Sequence, residues 1–197
     1  MFSMLKWIIT IFFLCVSYLP VYAFDSELWP GEGEPTFFSE TNTLILYKEP
    51  TTKSPVMNKL MTGKGDKINF DMTRYRNIKP GTIKTKRSVT LKGKNLGSIL
   101  YLSRSEYYSG KVPSKNYTFK KGDSFEYLQY RAEGSCIVRW KGDIYSMEYC
   151  PWLDVENTQF TIETEPVNEW WIRVTEGHNT LGWLLIDKST VEEKRSF

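Results

Sequence analysis

Histidine is nearly absent: the chain has one, His178, in 197 residues. Ser/His/Asp and Cys/His nucleophile sets need an imidazole base, and zinc needs three or four His, Cys, Asp or Glu ligands at close spacing. One histidine inside the turn Glu176-Gly177-His178-Asn179 supplies neither, and His178 is expected to be a solvated turn residue. An excess of charge of one sign is also missing. With 26 Lys+Arg against 23 Asp+Glu the net charge is +3, short of the basic stripe that a nucleic-acid binder carries. No long helical periodicity is found. Aromatic residues, by contrast, are plentiful, with 7 Trp, 12 Tyr and 11 Phe. That load excludes disorder and coiled coil and is enough to build the cores of one or two small domains.

Residues 1–23 place Lys6 ahead of an apolar run from Trp7 to Leu19 and close on Val21-Tyr22-Ala23. This is the pattern of a secretory signal peptide cleaved after Ala23, and the run is shorter than the ~20 residues of a spanning helix. The mature chain then starts at Phe24, has no stable membrane span and is periplasmic or secreted. Residues 24–41 are expected to form an extended arm. Of the three cysteines, Cys15 falls within the leader, leaving Cys136 and Cys150 as an even pair in an oxidising compartment. The segment between them reads strand, turn, strand, with the turn centred on Asp143 and the cysteines equidistant from it. A cross-strand disulfide is expected, closing a loop of about 15 residues worth on the order of 3 kcal/mol.

Short runs rich in Ile, Val, Tyr, Phe, Thr and Trp recur throughout, cut by Gly, Pro, Asn and Asp, so the fold class is all-β. Only Asp187 to Arg195 is expected to be helical, with Ser189 and Glu192 spaced as a capping box. Internal comparison adds a repeat. Lys64-Gly65-Asp66-Lys67-Ile68 aligns with Lys121-Gly122-Asp123-Ser124-Phe125, and Leu96-Gly97-Ser98 with Leu181-Gly182-Trp183. Two units are expected, at 42–110 and 111–197, the second interrupted by the disulfide-bridged hairpin at 132–152.

Leu44-Ile45-Leu46-Tyr47-Lys48-Glu49-Pro50, Ser54-Pro55-Val56 and Lys64-Gly65-Asp66 resemble the opening of a bacterial SH3-like domain. Trp171-Ile172-Arg173-Val174 and Gly182-Trp183-Leu184 are similar to the closing hairpin of the same family. The resemblance implies two small SH3-like barrels that bind peptides, cell-wall material or another domain and seldom catalyse. It also leaves a puzzle: Ser98 stands where the closing tryptophan of the first unit belongs, and the opening motif is missing from the second.

Strand alternation sets Trp170, Ile172 and Val174 on one face and Trp171 and Arg173 on the other, with Trp183 across the turn. Trp171, Arg173 and Trp183 are thus the candidate ligand-binding residues: an aromatic shelf with a cation, or else packing. Glu126, Glu148 and Asp154 are the nearest candidates for paired carboxylates, without a pattern beyond ordinary strand charges. Lys84 to Lys94 reads as the solvated side of a hairpin. The expected function is therefore an exported, non-enzymatic binding module with no cofactor and no metal, acting on an envelope protein, a peptide or a cell-wall component. The rival is an inhibitor that uses the stapled hairpin as a wedge against an exported enzyme.

Overall fold

The structure is a computed structural model that describes residues 24–27, 29–91, 96–98, 117–147, 150–153, 156 and 158–196. The expected signal peptide lies outside the described residues, as do Glu148 and Asp154. The described residues are all-β, and among them the sheets are antiparallel and none is closed into a barrel.

The first stretch of chain contributes β1 (Phe24–Ser26), β2 (Glu34–Ser39), β3 (Thr43–Tyr47), β4 (Val56–Met61), β5 (Lys67–Ile68) and β6 (Phe70–Lys79). The middle contributes β7 (Gly81–Thr85), β8 (Val89–Leu91), β9 (Leu96–Ser98), β10 (Tyr117–Phe119), β11 (Ser124–Tyr130), β12 (Cys136–Trp140), β13 (Asp143–Met147), the 3-10 turn Pro151–Leu153 and β14 (Phe160–Thr164). Last come β15 (Val167–Glu176), β16 (Asn179–Leu185) and β17 (Val191–Ser196). Their pairing sorts the strands into two bodies. One holds the sheets β1-β6-β15-β16-β3-β4 and β17-β2-β5; the other holds β14-β7-β11-β12-β13-β9 and β10-β8.

The bodies are nested. The outer body is made by both ends of the chain, and the inner one by residues 81–164 alone. The expected boundary at 110/111 therefore does not divide the sheets, and the hairpin 132–152 is not an insertion, because β12 and β13 are interior strands of the inner sheet. The physical reason is that the opening strands β3 and β6 find their partners far along the chain in β16 and β15, with Tyr47 opposite Trp183 and Tyr75 opposite Trp170, where alternation is in phase: Leu44 and Leu46 face Ile172, Val174 and Leu184 in one buried cluster. A second cluster, including Ile83, Phe125, Tyr127, Trp152 and Phe160, fills the inner body.

The repeat is real in one half. Gly65 and Gly122 have φ of 86° and 89°, a left-handed conformation that favours glycine. In the first turn Asp66 N–H donates to Gly63 O, Gly63 N–H to the Asp66 carboxylate, and Ser39 N–H to Asp66 O. In the second, Asp123 N–H donates to Lys120 O, Lys120 N–H to the Asp123 carboxylate, and Thr85 N–H to Asp123 O. The strands around these turns pair alike: β17 with β2 as β14 with β7, β3 with β4 as β8 with β10, and β6-β15-β16 as β11-β12-β13. The other half of the alignment does not hold. Leu96–Ser98 is β9, whereas Leu181–Trp183 lies in β16, the counterpart of β13.

The C-terminal helix is likewise replaced by a strand. Asp187 closes a single turn, accepting from Ser189 N–H at 2.8 Å while its carbonyl accepts from Val191 N–H, and β17 then pairs with all six residues of β2. Two turns of helix are marginal in isolation, and the open edge of β2 offers a full ladder instead. Residues 24–41, expected as an arm, supply β1 and β2, the latter with Phe37 fully buried.

The bodies join through two adjacent connections, β6 to β7 and β14 to β15. Gly81 sits at the crossing, where an added Cβ would lie 2.5 Å from Thr164 O and 2.7 Å from Pro166 N. Beside it, buried Asn77 donates through Nδ2 to Leu128 O and to Asn168 Oδ1, and buried Gln129 donates to Tyr75 O. Phe24 of β1 packs on Leu128 and Ile137.

Candidate functional site

Trp171, Arg173 and Trp183 are brought together, but as packing. Arg173 lies directly opposite Trp183 and Trp171 opposite Leu185, which puts the two indoles on a diagonal. Trp171 is 0% exposed and Trp183 9%. Trp171 Nε1 donates to Glu169 at 2.9 Å, and its ring meets Tyr47 edge-on at 5.7 Å. Arg173 grips both Asp71 oxygens, at 2.8 and 2.7 Å. This fork lowers the Asp71 pKa and raises that of Arg173. The cation is thus already neutralised, and no open aromatic shelf is left for a ligand.

The disulfide forms as expected between Cys136 and Cys150, with Cα atoms 5.9 Å apart, consistent with an oxidising compartment. Its placement differs. The hairpin turns at Lys141-Gly142, both with positive φ, as a two-residue turn between paired strands requires. Cys136 therefore faces Met147 in register, and the bridge instead ties β12 to the chain beyond β13, where Cys150 N–H donates to Gly134 O. Both cysteines are fully buried against the inner cluster. The strands of the stapled hairpin are thus interior to the sheet, while its turn at Lys141, Gly142 and Asp143 is exposed.

Of the remaining candidates, Glu126 is paired across the strands with Arg139 at 2.6 Å, an ordinary cross-strand charge pair. Lys84 meets Glu163 at 3.1 Å, while Lys86 and Arg87 are exposed. His178 is exposed in the two-residue turn between β15 and β16. Among the described residues no group of three or more His, Cys, Asp or Glu is placed to hold a metal, and no helix is long and apolar enough to cross a membrane.

The groove that sequence reasoning missed lies on the outer body. It has a volume of about 590 Å³ and runs between Glu27 and Trp29, the start of β2 and the segment Ile68 to Thr73. Trp29, Phe70 and Met72 are its large apolar lining groups, and Glu27, Glu34 and Asp71 its carboxylates, against one lysine, Lys67. Its walls are fastened from behind. Thr73 Oγ1 donates to Glu27 O, Arg74 pairs with Glu27 at 3.0 Å, and the Arg195 guanidinium donates to Glu32 O and Pro30 O while lying over the Trp170 ring. Glu27 and Asp71 are consequently spent on cations of the protein itself; Glu34 is exposed with no ion pair among the described residues. Trp29-Pro30-Gly31, a tryptophan beside turn formers in a segment read as an arm, was the one available signal. No protein-family model, curated protein or solved structure matches the chain.

Proposed function

We propose that the chain is an exported, non-enzymatic binding module of two nested SH3-like units that recognises an envelope peptide, a cell-wall glycopeptide or a partner protein. The observation that carries this reading is the groove beside Trp29 and Phe70, a concave site that combines apolar surface with a few convergent polar groups. Its excess of carboxylates, Glu34 above all, suits a ligand that brings amide or ammonium donors.

The SH3-like part of the reading is supported by strand order. In the inner body β7, β8, β9, β10, β11, β12, β13, a 3-10 turn and β14 follow one another, with β10 pairing back on β8, β9 added beside β13, and the last strand returning to the first. Nesting also accounts for the puzzle in the resemblance, since the opening around Leu44 to Pro50 and the closing hairpin around Trp171 and Trp183 pair in the same sheet. The strands of the stapled hairpin are taken up on both sides by sheet neighbours, which gives the inhibitor reading no comparable support.

Mature protein starting at Phe24, immobilised and washed with purified cell-wall glycopeptide and then with soluble envelope proteins, tests the proposal. Retention should fall in Glu34→Lys and in Trp29→Ala while the melting temperature of Glu34→Lys stays unchanged. Retention of nothing, or retention untouched by both substitutions, would refute it.

A further inference from the structure

Among the described residues β4 is the outermost strand of its sheet and has β3 as its only paired neighbour. An edge strand of this kind presents unpaired N–H and C=O groups to any extended chain. Here the open groups can be assigned. Thr62 N–H donates to Asn42 O, and bonded residues alternate along an antiparallel ladder, so Leu60 and Asn58 also turn their backbone groups toward β3. Lys59 and Met61 turn theirs outward. The Lys59 N–H agrees with this, for it is taken by the Asn58 side chain at 2.8 Å rather than by β3.

The side chains along this edge are as open as the backbone. Val56, Met57 and Met61 are 52, 54 and 73% exposed, and Lys59 stands among them with no ion pair among the described residues. The stretch of chain that holds them is rich in lysine. Residues 48–67 carry Lys48, Lys53, Lys59, Lys64 and Lys67 against Glu49 and Asp66; Lys64 is taken by Glu40 at 2.7 Å, the Asp66 carboxylate by Gly63 N–H, and Glu176 lies near Leu60 and Met61.

We propose that β4 is a strand-addition site for an extended acidic segment of a partner protein, in which apolar residues alternate with Asp or Glu. Main-chain bonds to the Lys59 carbonyl and to the N–H and carbonyl of Met61 would supply affinity, the exposed methionines would take the apolar side chains, and the Lys59 ammonium would select the acidic one. A second copy of this chain is the wrong occupant, because edge-to-edge pairing would set the lysine-rich stretch against itself. The same lysine that deters self-pairing thus favours an acidic strand. This site is separate from the groove and does not depend on it.

The probes are a capped seven-residue peptide alternating valine and glutamate, its valine–lysine counterpart, and the acidic peptide N-methylated at alternate residues. Binding is read by anisotropy of labelled peptide, and the location by protection of the Met61 amide hydrogen, since that of Lys59 is already bonded to Asn58. The acidic peptide should bind and protect the Met61 amide, the lysine peptide should bind at least about fivefold more weakly, and N-methylation should cost about tenfold or more. Lys59→Glu should reverse the charge preference. Met61→Pro, which removes an outward N–H without touching the ladder to β3, should weaken the acidic peptide while leaving the melting curve two-state. Equal binding of the two peptides, a preference unchanged in Lys59→Glu, no protection at millimolar peptide, or protection that grows with protein concentration alone would each overturn the proposal.

Discussion

Replacing Cys136 and Cys150 together by alanine should cost about 3 kcal/mol and should cost it in the inner body. The bridge closes a loop with a sequence separation of 14. In the chain-entropy relation a loop of about 15 residues restrains the unfolded chain by about 10 cal/mol/K, or about 3 kcal/mol at room temperature. Both sulfurs are buried beside Phe125, Tyr127 and Trp152, so their removal adds a small packing loss in the same direction. None of this touches the cluster of Phe37, Leu44, Ile172 and Leu184, which belongs to the other body. Native-state hydrogen exchange separates the two. Amides of β11, β12 and β13 should lose protection by about two decades, while those of β3, β15 and β16 lose much less. Equal loss in both bodies would refute the division into two cores, and no loss in β12 would refute the entropic argument.

Gly81→Ala should destabilise by about 2 to 4 kcal/mol, because its Cβ would meet backbone atoms of Thr164, Glu165 and Pro166 that no rotamer can move; chemical denaturation measures it, and a neutral result would show that the two connections are free to part. Asp71→Asn should lower stability at neutral pH by under about 1 kcal/mol, since the pair with Arg173 is substantially exposed. The Asp71 pKa is depressed in the folded state, so its contribution is present above the ordinary carboxylate value and disappears as pH falls through the depressed one. Melting of the two proteins should therefore converge in acid, and a gap that persists at the lowest pH would argue that the loss is one of packing.

What could be read locally was read locally. Alternation of period two marks a strand wherever it occurs, so the all-β class and most strand positions needed no partner. The strand-turn-strand pattern between Cys136 and Cys150 pointed to their pairing, and Lys-Gly-Asp specified its turn twice because the aspartate bonds backbone only three residues away. Partner choice is another matter. A strand pattern says which face is apolar and nothing about which of many apolar strands will cover it, so the nesting of one body inside the other, set by β3 and β6 meeting β16 and β15, was invisible. The same physics misled the reading of Val191–Ser196, whose capping-box spacing is weak beside the six-residue ladder offered by β2. It also left Trp171 and Trp183 undecided, because alternation assigns a side to each indole while only the assembled sheet determines that this side is covered. The groove arose in the same way, from Arg195 and Thr73 fastening a segment near the N-terminus that has no strong pattern of its own. Local periodicity determines what each segment is; the identity of its neighbours is a contest among distant edges and faces, and only tertiary packing decides it.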